Sequence, residues 1–277
     1  MSANDDSSKV SDLDSRREAE ADFGLPFDDH VEEVSEGGKT VRRRGIFLLP
    51  NLITTAALFS GFYAIVAGMH GNFENAAIAI FVAMVFDGLD GRVARLTNTS
   101  SAFGVEYDSL SDMVSFGLAP SLVMFNWGLA PLGKYGWAMA FAFAACAALR
   151  LARFNTQVET ADKRYFTGLA SPSAAALVAG TVWFGHEAEI TFELSLLVGL
   201  LTLTAGLLMV SNIKYHSFKG LDFKGRVPFV KLLLMIMLFV VIVANPSVML
   251  VLMAAIYATS GPLMWLWEYS RKKRADD

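Results

Sequence analysis

Apolar residues fall into long blocks along this chain from about residue 46 onward, separated by short polar segments. A transmembrane helix needs roughly 20 consecutive, mainly apolar residues, and each block is near that length. The pattern predicts eight membrane-spanning helices, at about 47–69, 73–96, 105–128, 135–154, 170–186, 190–210, 227–244 and 247–268. The predicted fold class is therefore all-α, a polytopic membrane helical bundle.

The second block departs from this pattern. Its uninterrupted apolar run, residues 76–86, is 11 residues long, and Asp87 and Asp90 follow before the span should end. Ionisable residues inside a span are costly and usually serve a function. This block is therefore the first place to look for chemistry.

Composition agrees with a membrane protein. Of the 277 residues, 54% are hydrophobic and 18% are charged, and the mean hydropathy is +0.43. The single cysteine, Cys146, excludes an internal disulfide framework and a CxxC metal or redox motif. The formal net charge of −4 excludes a strongly basic nucleic-acid binder, so no nucleic-acid partner is expected.

The first 45 residues form a separate polar region. Residues 1–38 hold 12 acidic and 3 basic side chains. A secretory signal would instead need a basic start and an apolar stretch of about 7–15 residues. We expect residues 1–45 to be an acidic, disordered cytoplasmic tail that ends in the basic cluster 42–44.

The distribution of Lys and Arg predicts the orientation in the membrane. If the N-terminus is cytoplasmic, the inner segments are the tail and the stretches near 92–104, 150–168, 211–231 and 271–277, which together hold 22 of the 23 basic residues. Cytoplasmic segments of membrane proteins are enriched in Lys and Arg. We therefore expect an even number of spans, with both termini in the cytoplasm.

Four aspartates stand where the second predicted span meets the third. Asp87 and Asp90 are three residues apart, and Asp108 and Asp112 are four apart, so each pair shares one face of a helix. Antiparallel helices would bring the four carboxylates together, and their negative charges would repel one another. This repulsion needs a counter-charge. Oxygen ligands suit Mg²⁺ or Mn²⁺. The alternative is that arginines such as Arg92 pair with the aspartates and only join the two helices.

The residues from Asp87 to Asp112 read D-x2-D-G-x2-A-R-x8-G-x3-D-x3-D. This pattern resembles the signature of the CDP-alcohol phosphatidyltransferase family. The neighbouring stretches 108–120, 149–155 and 166–172 are similar to its phosphatidylserine synthase branch, with one departure, Ala170 in place of an expected proline. The resemblance implies a six-span catalytic core at 46–210, and residues 211–277 add a cytoplasmic loop, two further transmembrane helices and a basic C-terminus.

The resemblance implies transfer of the phosphatidyl group from CDP-diacylglycerol to L-serine, which would give phosphatidylserine and CMP. Two divalent cations, Mg²⁺ or Mn²⁺, would be held by Asp87, Asp90, Asp108 and Asp112. Asp112 would also be the general base. The positions implied for CDP-diacylglycerol are Gly91, Arg95 and Ser101, with Gly88, Ala94 and Gly104 beside them.

The site for the acceptor is argued from chemistry instead. Arg150 and Arg153 are three residues apart near the cytoplasmic end of the fourth span, and a guanidinium is well suited to hold a carboxylate. Asn155 and a turn at Ser115 would add polar contacts. The alternative for the arginines is snorkelling to lipid phosphates, and Glu106 is a further candidate, for the ammonium group of serine.

Other functions stay open at this stage. A related enzyme could use glycerol 3-phosphate, inositol, inositol phosphate or choline as acceptor. A cation transporter would also use carboxylates, although its site should lie near the membrane midplane between repeats. A membrane scaffold with a regulatory tail is a third class. The resemblance further implies a homodimer among membrane lipids, in the inner membrane of a prokaryote, with a cytoplasmic active site.

Overall fold

The computed structural model describes residues 31–36, 39–44, 48–97, 102–157, 165–216 and 229–276. Most of these residues are helical. The α-helices are α1 (Leu48–Met69), α2 (Phe73–Thr97), α3 (Ala102–Asp112), α4 (Ala119–Met124), α5 (Lys134–Gln157), α6 (Ser171–Gly185), α7 (Phe192–Val210), α8 (Phe229–Ala244) and α9 (Pro246–Asp276). The predicted all-α membrane bundle is confirmed, and each predicted span coincides with a helix or a continuous helical run.

Among the residues that the structure describes, five helical segments are long and apolar enough to cross a membrane: Leu49–Met69, Phe103–Leu132, Lys134–Thr156, Phe192–Val210 and Pro246–Trp267. The other three predicted spans differ for physical reasons. Helix α2 has 25 residues but carries the charged motif, whereas α6 and α8 have 15 and 16 residues.

The first two helices form an antiparallel pair. Gly71 has a φ of +77° in the turn between them, a conformation that a residue without a side chain adopts readily. The Asn72 backbone N–H closes this turn by donating to the Ala67 carbonyl at 2.9 Å. The short turn keeps α1 packed along α2, so the polar residues near the start of α1 reach the charged end of α2.

The third span leaves the α-helical form twice. A π-helix at Met113–Leu118 precedes α4, and a second π-helix at Phe125–Leu129 precedes a 3₁₀ turn at Ala130–Leu132. A proline ring clashes with the carbonyl four residues earlier. For Pro120 and Pro131 that carbonyl belongs to a residue of a π segment, so the wider turns relieve both clashes. The predicted turn at Ser115 is therefore wrong, since this residue lies inside a π-helix.

The third span is the most buried of the five. It contacts α1, α2, α5, α6 and α7. Two glycines allow close packing around it: a Cβ on Gly206 of α7 would lie 3.1 Å from the backbone of Phe143, and a Cβ on Gly180 of α6 would lie 3.1 Å from that of Val251. Helix α7 therefore docks on α5, and the last helix docks on α6.

Two short antiparallel sheets accompany the helices: β1 (Val31–Glu36) with β2 (Lys39–Arg44), and β3 (Tyr165–Thr167) with β4 (Lys214–His216). The first sheet lies within residues 1–45, the region that the sequence predicts to be a tail. Its register places Glu32 opposite Arg43 and Glu33 opposite Arg42. The tail before residue 31 lies outside the described residues.

Candidate active site

Three aspartates from two helices meet at one point. Asp87 and Asp90 lie on α2 and Asp108 lies on α3, and a carboxylate oxygen from each can be chosen so that all three are within 4.8 Å of one another. Asp90 is buried, with 5% of its surface exposed, and the other two are half-buried. The helical spacing of the motif therefore does bring these acidic groups together.

Asp112, at the end of α3, lies beside this group. Its carboxyl group shares a hydrogen bond with that of Asp87, and it also interacts electrostatically with Asp108. Asp112 is thus adjacent to the three-oxygen cluster without being one of its members. Such a position suits a residue that acts next to a metal centre.

A threonine of α1 forms a hydrogen bond with one carboxylate of the cluster. The Thr54 hydroxyl donates to the Asp90 Oδ2 atom at 2.8 Å, and Thr54 is 4% exposed. In turn, the Ser111 hydroxyl donates to the Thr54 carbonyl at 3.2 Å. The backbone of Gly91 provides a further hydrogen bond to Asp90. Three helices thereby fix the orientation of one carboxylate.

The residues predicted for the nucleotide line α2 and the start of α3. A Cβ built on Gly88 would meet nothing within 4 Å, so the backbone beside Asp87 faces open space. Gly91, Ala94 and Arg95 follow along the same helix, and Gly104 lies one turn before Asp108 on α3. Ser101 lies outside the described residues.

Arg150 approaches the cluster from α5. Its Nη1 atom donates to the Ser171 hydroxyl at 2.6 Å, and Ser171 is fully buried at the start of α6. The guanidinium group also interacts electrostatically with Asp112 and with Tyr257 of α9. This arginine is therefore bonded to α6 and lies within electrostatic range of Asp112.

The other predicted acceptor residues have different surroundings. Arg153 donates to the Asn212 Oδ1 atom at 2.7 Å and to the Val210 carbonyl at 3.4 Å, and so holds the end of α7. Asn155 donates to the Ser109 hydroxyl at 3.0 Å, which joins α5 to the helix of Asp108. Ser115 is 1% exposed and donates to the Ala57 carbonyl at 3.1 Å, so its hydroxyl contributes to helix packing.

Sequence reasoning missed several polar residues of this region. Thr54, Ser111 and Ser171 were passed over, as was Asn51, whose buried Nδ2 atom has no hydrogen-bond partner in the part of the chain that the structure describes. Their signal is weak because a lone hydroxyl in an apolar helix can bond its own backbone. A cluster such as Asn51, Thr54 and Thr55 within one predicted span was the available clue.

The chemistry of the cluster fits a divalent cation. Three carboxylates this close repel one another, and partial burial strengthens the repulsion. Arg150 supplies one positive charge on the Asp112 side, and Arg92 is exposed to solvent. Hard cations with oxygen ligands would balance the remaining charge and would leave coordination positions for a phosphate.

The family model for CDP-alcohol phosphatidyltransferase matches residues 47–210, which run from the start of α1 to the end of α7. This region contains all four aspartates. It ends before β4 and the last two helices.

Curated relatives extend the similarity. A CDP-diacylglycerol–serine O-phosphatidyltransferase of Helicobacter pylori is 37% identical over 226 residues, which are 80% of this chain and 92% of that protein. One from Methanocaldococcus jannaschii is 35% identical over 63% of this chain and 77% of its own length. An archaetidylserine synthase of Methanothermobacter thermautotrophicus is 31% identical, with 62% of this chain and 71% of that protein covered.

Proposed function

The chain belongs to the CDP-alcohol phosphatidyltransferase family, and we propose that it transfers the phosphatidyl group from CDP-diacylglycerol to L-serine. The products are phosphatidylserine and CMP. One observation carries this proposal: three of the four aspartates of the family motif, Asp87, Asp90 and Asp108, have carboxylate oxygens within 4.8 Å of one another. Membership of an enzyme family also disfavours the transporter and scaffold hypotheses.

Asp112 acts as the general base. It takes the proton of the serine hydroxyl while that oxygen forms a bond to the phosphorus that carries diacylglycerol. The bond from this phosphorus to the bridging oxygen breaks, and CMP leaves with the electron pair. A free hydroxyl is a weak nucleophile, so a base beside it is needed. The contact between Asp112 and Asp87 supports the assignment, since it places the base next to the acidic cluster.

The four aspartates hold two divalent cations, Mg²⁺ or Mn²⁺. Such ions, when bound, neutralise the pyrophosphate and stabilise the charge that develops on the leaving CMP. Asp87 and Asp108 would contribute to both ion positions, with Asp90 at the first and Asp112 at the second. Thr54 keeps Asp90 oriented for this role through its 2.8 Å hydrogen bond.

The nucleotide lies along the charged end of α2. Gly88 and Gly91 let the pyrophosphate and ribose approach the backbone, which the open space above Gly88 supports. The remaining proposed contacts are Ala94, Arg95, Ser101 and Gly104. With the nucleotide on this side, the acceptor enters from the side of α5.

Arg150 holds the carboxylate of serine. Of the four proposed acceptor residues it has the best support, because its positive charge lies within electrostatic range of Asp112. Asn155 adds a polar group from the same helix. To bind serine, Arg153 would have to break its hydrogen bonds to Asn212 and Val210. Ser115 would have to break its hydrogen bond to the Ala57 carbonyl.

The active site faces the cytoplasm. The clustering of Lys and Arg supports cytoplasmic termini, and the bacterial relatives support the inner membrane of a prokaryote. Residues 46–210 form the catalytic core, residues 1–45 the cytoplasmic tail and residues 211–277 the C-terminal extension. The enzyme works as a homodimer among membrane lipids.

A panel of acceptors tests this function. Purified protein in mixed micelles receives CDP-diacylglycerol with serine, glycerol 3-phosphate, inositol, inositol phosphate or choline, and CMP release is measured for each. Release that depends on serine is expected. Release that depends on another alcohol would assign a different branch, and release with none of them would contradict transferase activity.

A further inference from the structure

The last helix continues past the edge of the helical bundle. Gly261 of α9 is buried, and a side chain at this position would collide with the Tyr215 ring of β4. The residues that follow at 263–267 are all exposed, with 38–63% of their surface accessible. Helix α9 ends at Asp276, so it extends about 22 Å along its axis beyond Gly261.

The exposed residues just after Gly261 are apolar on every side of the helix. They read Leu263-Met264-Trp265-Leu266-Trp267. Successive residues of an α-helix are about 100° apart, so five in a row cover its whole circumference. A helix that is apolar all round is covered by protein or lies in a membrane. Because these side chains are exposed on the bundle, the hydrocarbon of the membrane reaches this level of α9.

Trp267 marks the end of the apolar part of this helix. The apolar segment Pro246–Trp267 has 22 residues, and its length of about 33 Å matches the hydrocarbon thickness of about 30 Å. Tryptophan is enriched where a membrane meets water. Trp267 therefore lies at the level of the lipid headgroups, and the residues after it project into the headgroup layer.

Arg271 lies one turn after Trp267 and contacts its ring. The guanidinium carbon is 4.3 Å from the centroid of the indole, which is within the range of a cation–π interaction. This contact does not use the N–H groups of the guanidinium, and two of them can bind one phosphate group. The indole thus holds an arginine at the depth where lipid phosphates lie.

The charge of the helix end favours an anionic lipid. Residues 262–274 contain one acidic residue and four basic residues, and the basic residues are consecutive at 271–274. Basic clusters directly cytoplasmic of a transmembrane helix attract anionic phospholipids, and the Lys and Arg distribution predicts that this end is cytoplasmic. A second copy of the chain would bring the same positive charge to this surface, so it fits less well.

We propose that Trp267 and Arg271 form a binding site for the phosphate group of an anionic phospholipid at the cytoplasmic membrane surface. The acyl chains lie along residues 263–267, and the phosphate accepts hydrogen bonds from the Arg271 guanidinium. This surface lies outside the region that the family match covers. It is independent of the transfer reaction, because its ligand is a bulk lipid of the membrane.

The test measures lipid binding to the full-length protein in detergent micelles by native mass spectrometry. Phosphatidylglycerol is the anionic probe and phosphatidylcholine is the zwitterionic probe, and neither is a substrate or product of the proposed reaction. Arg271→Gln removes the charge, Arg271→Lys keeps it, and Trp267→Leu removes the ring. Thermal unfolding of each variant shows whether the bundle stays intact.

Lys134→Gln is the matched control. The Lys134 ammonium group also lies over an aromatic ring, 5.4 Å from the centroid of Tyr135, and Tyr135 is exposed. This pair stands at the opposite end of the spans from the basic cluster, and no run of basic residues follows it. Its loss should leave the binding of both lipids within about twofold of wild type, because a single charge attracts an anionic lipid only weakly.

For Arg271→Gln we expect the apparent Kd for phosphatidylglycerol to rise about fivefold, the effect of one basic residue near an anionic surface. Trp267→Leu should raise it about 2–5-fold, because the cation–π contact is lost. Arg271→Lys should fall between wild type and Arg271→Gln. The affinity for phosphatidylcholine should stay within about twofold in every variant.

Wild-type affinity for phosphatidylglycerol in both Arg271→Gln and Trp267→Leu would overturn the inference. An equal loss for the two lipids would also overturn it, since only apolar contacts would then be at work. Displacement of the lipid by excess inorganic phosphate would assign the site to a free anion instead. A lower oligomeric state in these variants would assign the surface to a second copy of the chain, and so would contradict a lipid site.

Discussion

The Thr54 hydroxyl donates a 2.8 Å hydrogen bond to Asp90, and both side chains are buried. The two residues are 36 positions apart and lie on different helices. The partner of a metal-ligating carboxylate fixes its orientation, and losing such a partner typically costs about 10–100-fold in metal affinity or activity. Thr54 is therefore the residue through which α1 reaches the proposed metal site.

Thr54→Val should weaken the response to the cation. The variant keeps the shape of the side chain and loses the donor, so we expect the half-saturating Mg²⁺ or Mn²⁺ concentration to rise about 10-fold. Thr54→Ser should restore most of the response. Thr181→Val is the matched control, since the Thr181 hydroxyl bonds the Leu177 carbonyl of its own helix. An unaltered cation response in Thr54→Val would remove Thr54 from the site.

Removal of the divalent cation should abolish turnover, because close carboxylates would then repel the pyrophosphate. Activity should return when Mg²⁺ or Mn²⁺ is added to chelator-treated protein, and Asp108→Asn should need more cation for half-maximal activity. Glu189→Gln is an exposed control outside the cluster. Titration of Mn²⁺ by electron paramagnetic resonance measures binding without turnover. Full activity in the presence of the chelator would contradict the metal assignment.

Asp112→Asn should nearly abolish turnover while CDP-diacylglycerol still binds. The variant loses the base, and Asp87, Asp90 and Asp108 keep their carboxylates. General base catalysis is usually worth about 10²–10⁴-fold. Single-turnover CMP release measures the loss of turnover. Equilibrium binding of CDP-diacylglycerol measures whether the substrate still binds. A variant that retains more than about a tenth of wild-type turnover would show that another group is the base.

Arg150→Ala should raise the KM for serine far more than the KM for CDP-diacylglycerol. A lost hydrogen bond to a charged group costs about 1.5–3 kcal/mol, which corresponds to a rise of roughly 10–100-fold. Arg150→Lys should recover only part of it, because lysine lacks the planar fork. Steady-state kinetics with each substrate varied in turn provide the measurement.

Arg153→Ala is the informative comparison for Arg150. Arg153 holds Asn212 and Val210 at the end of α7, so its removal should mainly lower thermal stability. Its effect on the KM for serine should be smaller than that of Arg150→Ala. If Arg153→Ala has the larger effect, the carboxylate of serine binds on the α7 side and the assignment of Arg150 is wrong.

The sequence was sufficient to predict that the aspartates of the motif converge. Helical periodicity alone puts Asp87 with Asp90 and Asp108 with Asp112, and the short loop between α2 and α3 makes the two faces meet. The eight apolar blocks likewise predicted the helices, because their length is set by the membrane. These features depend on local spacing, which a sequence displays directly.

Features that depend on packing could not be predicted. Arg150 and Arg153 look equivalent at one helix end, and only the positions of Ser171 and Asn212 separate them.

The central claim is that the Asp cluster transfers a phosphatidyl group to serine. The most direct test is to incubate purified protein with CDP-diacylglycerol, Mn²⁺ and isotopically labelled serine, and to measure label in extracted lipid and CMP in the same sample. The account predicts one labelled phosphatidylserine for each CMP, and neither product from Asp108→Asn at the same low cation concentration. CMP release without labelled lipid would contradict it, as would labelled lipid formed by the aspartate variant at the wild-type rate.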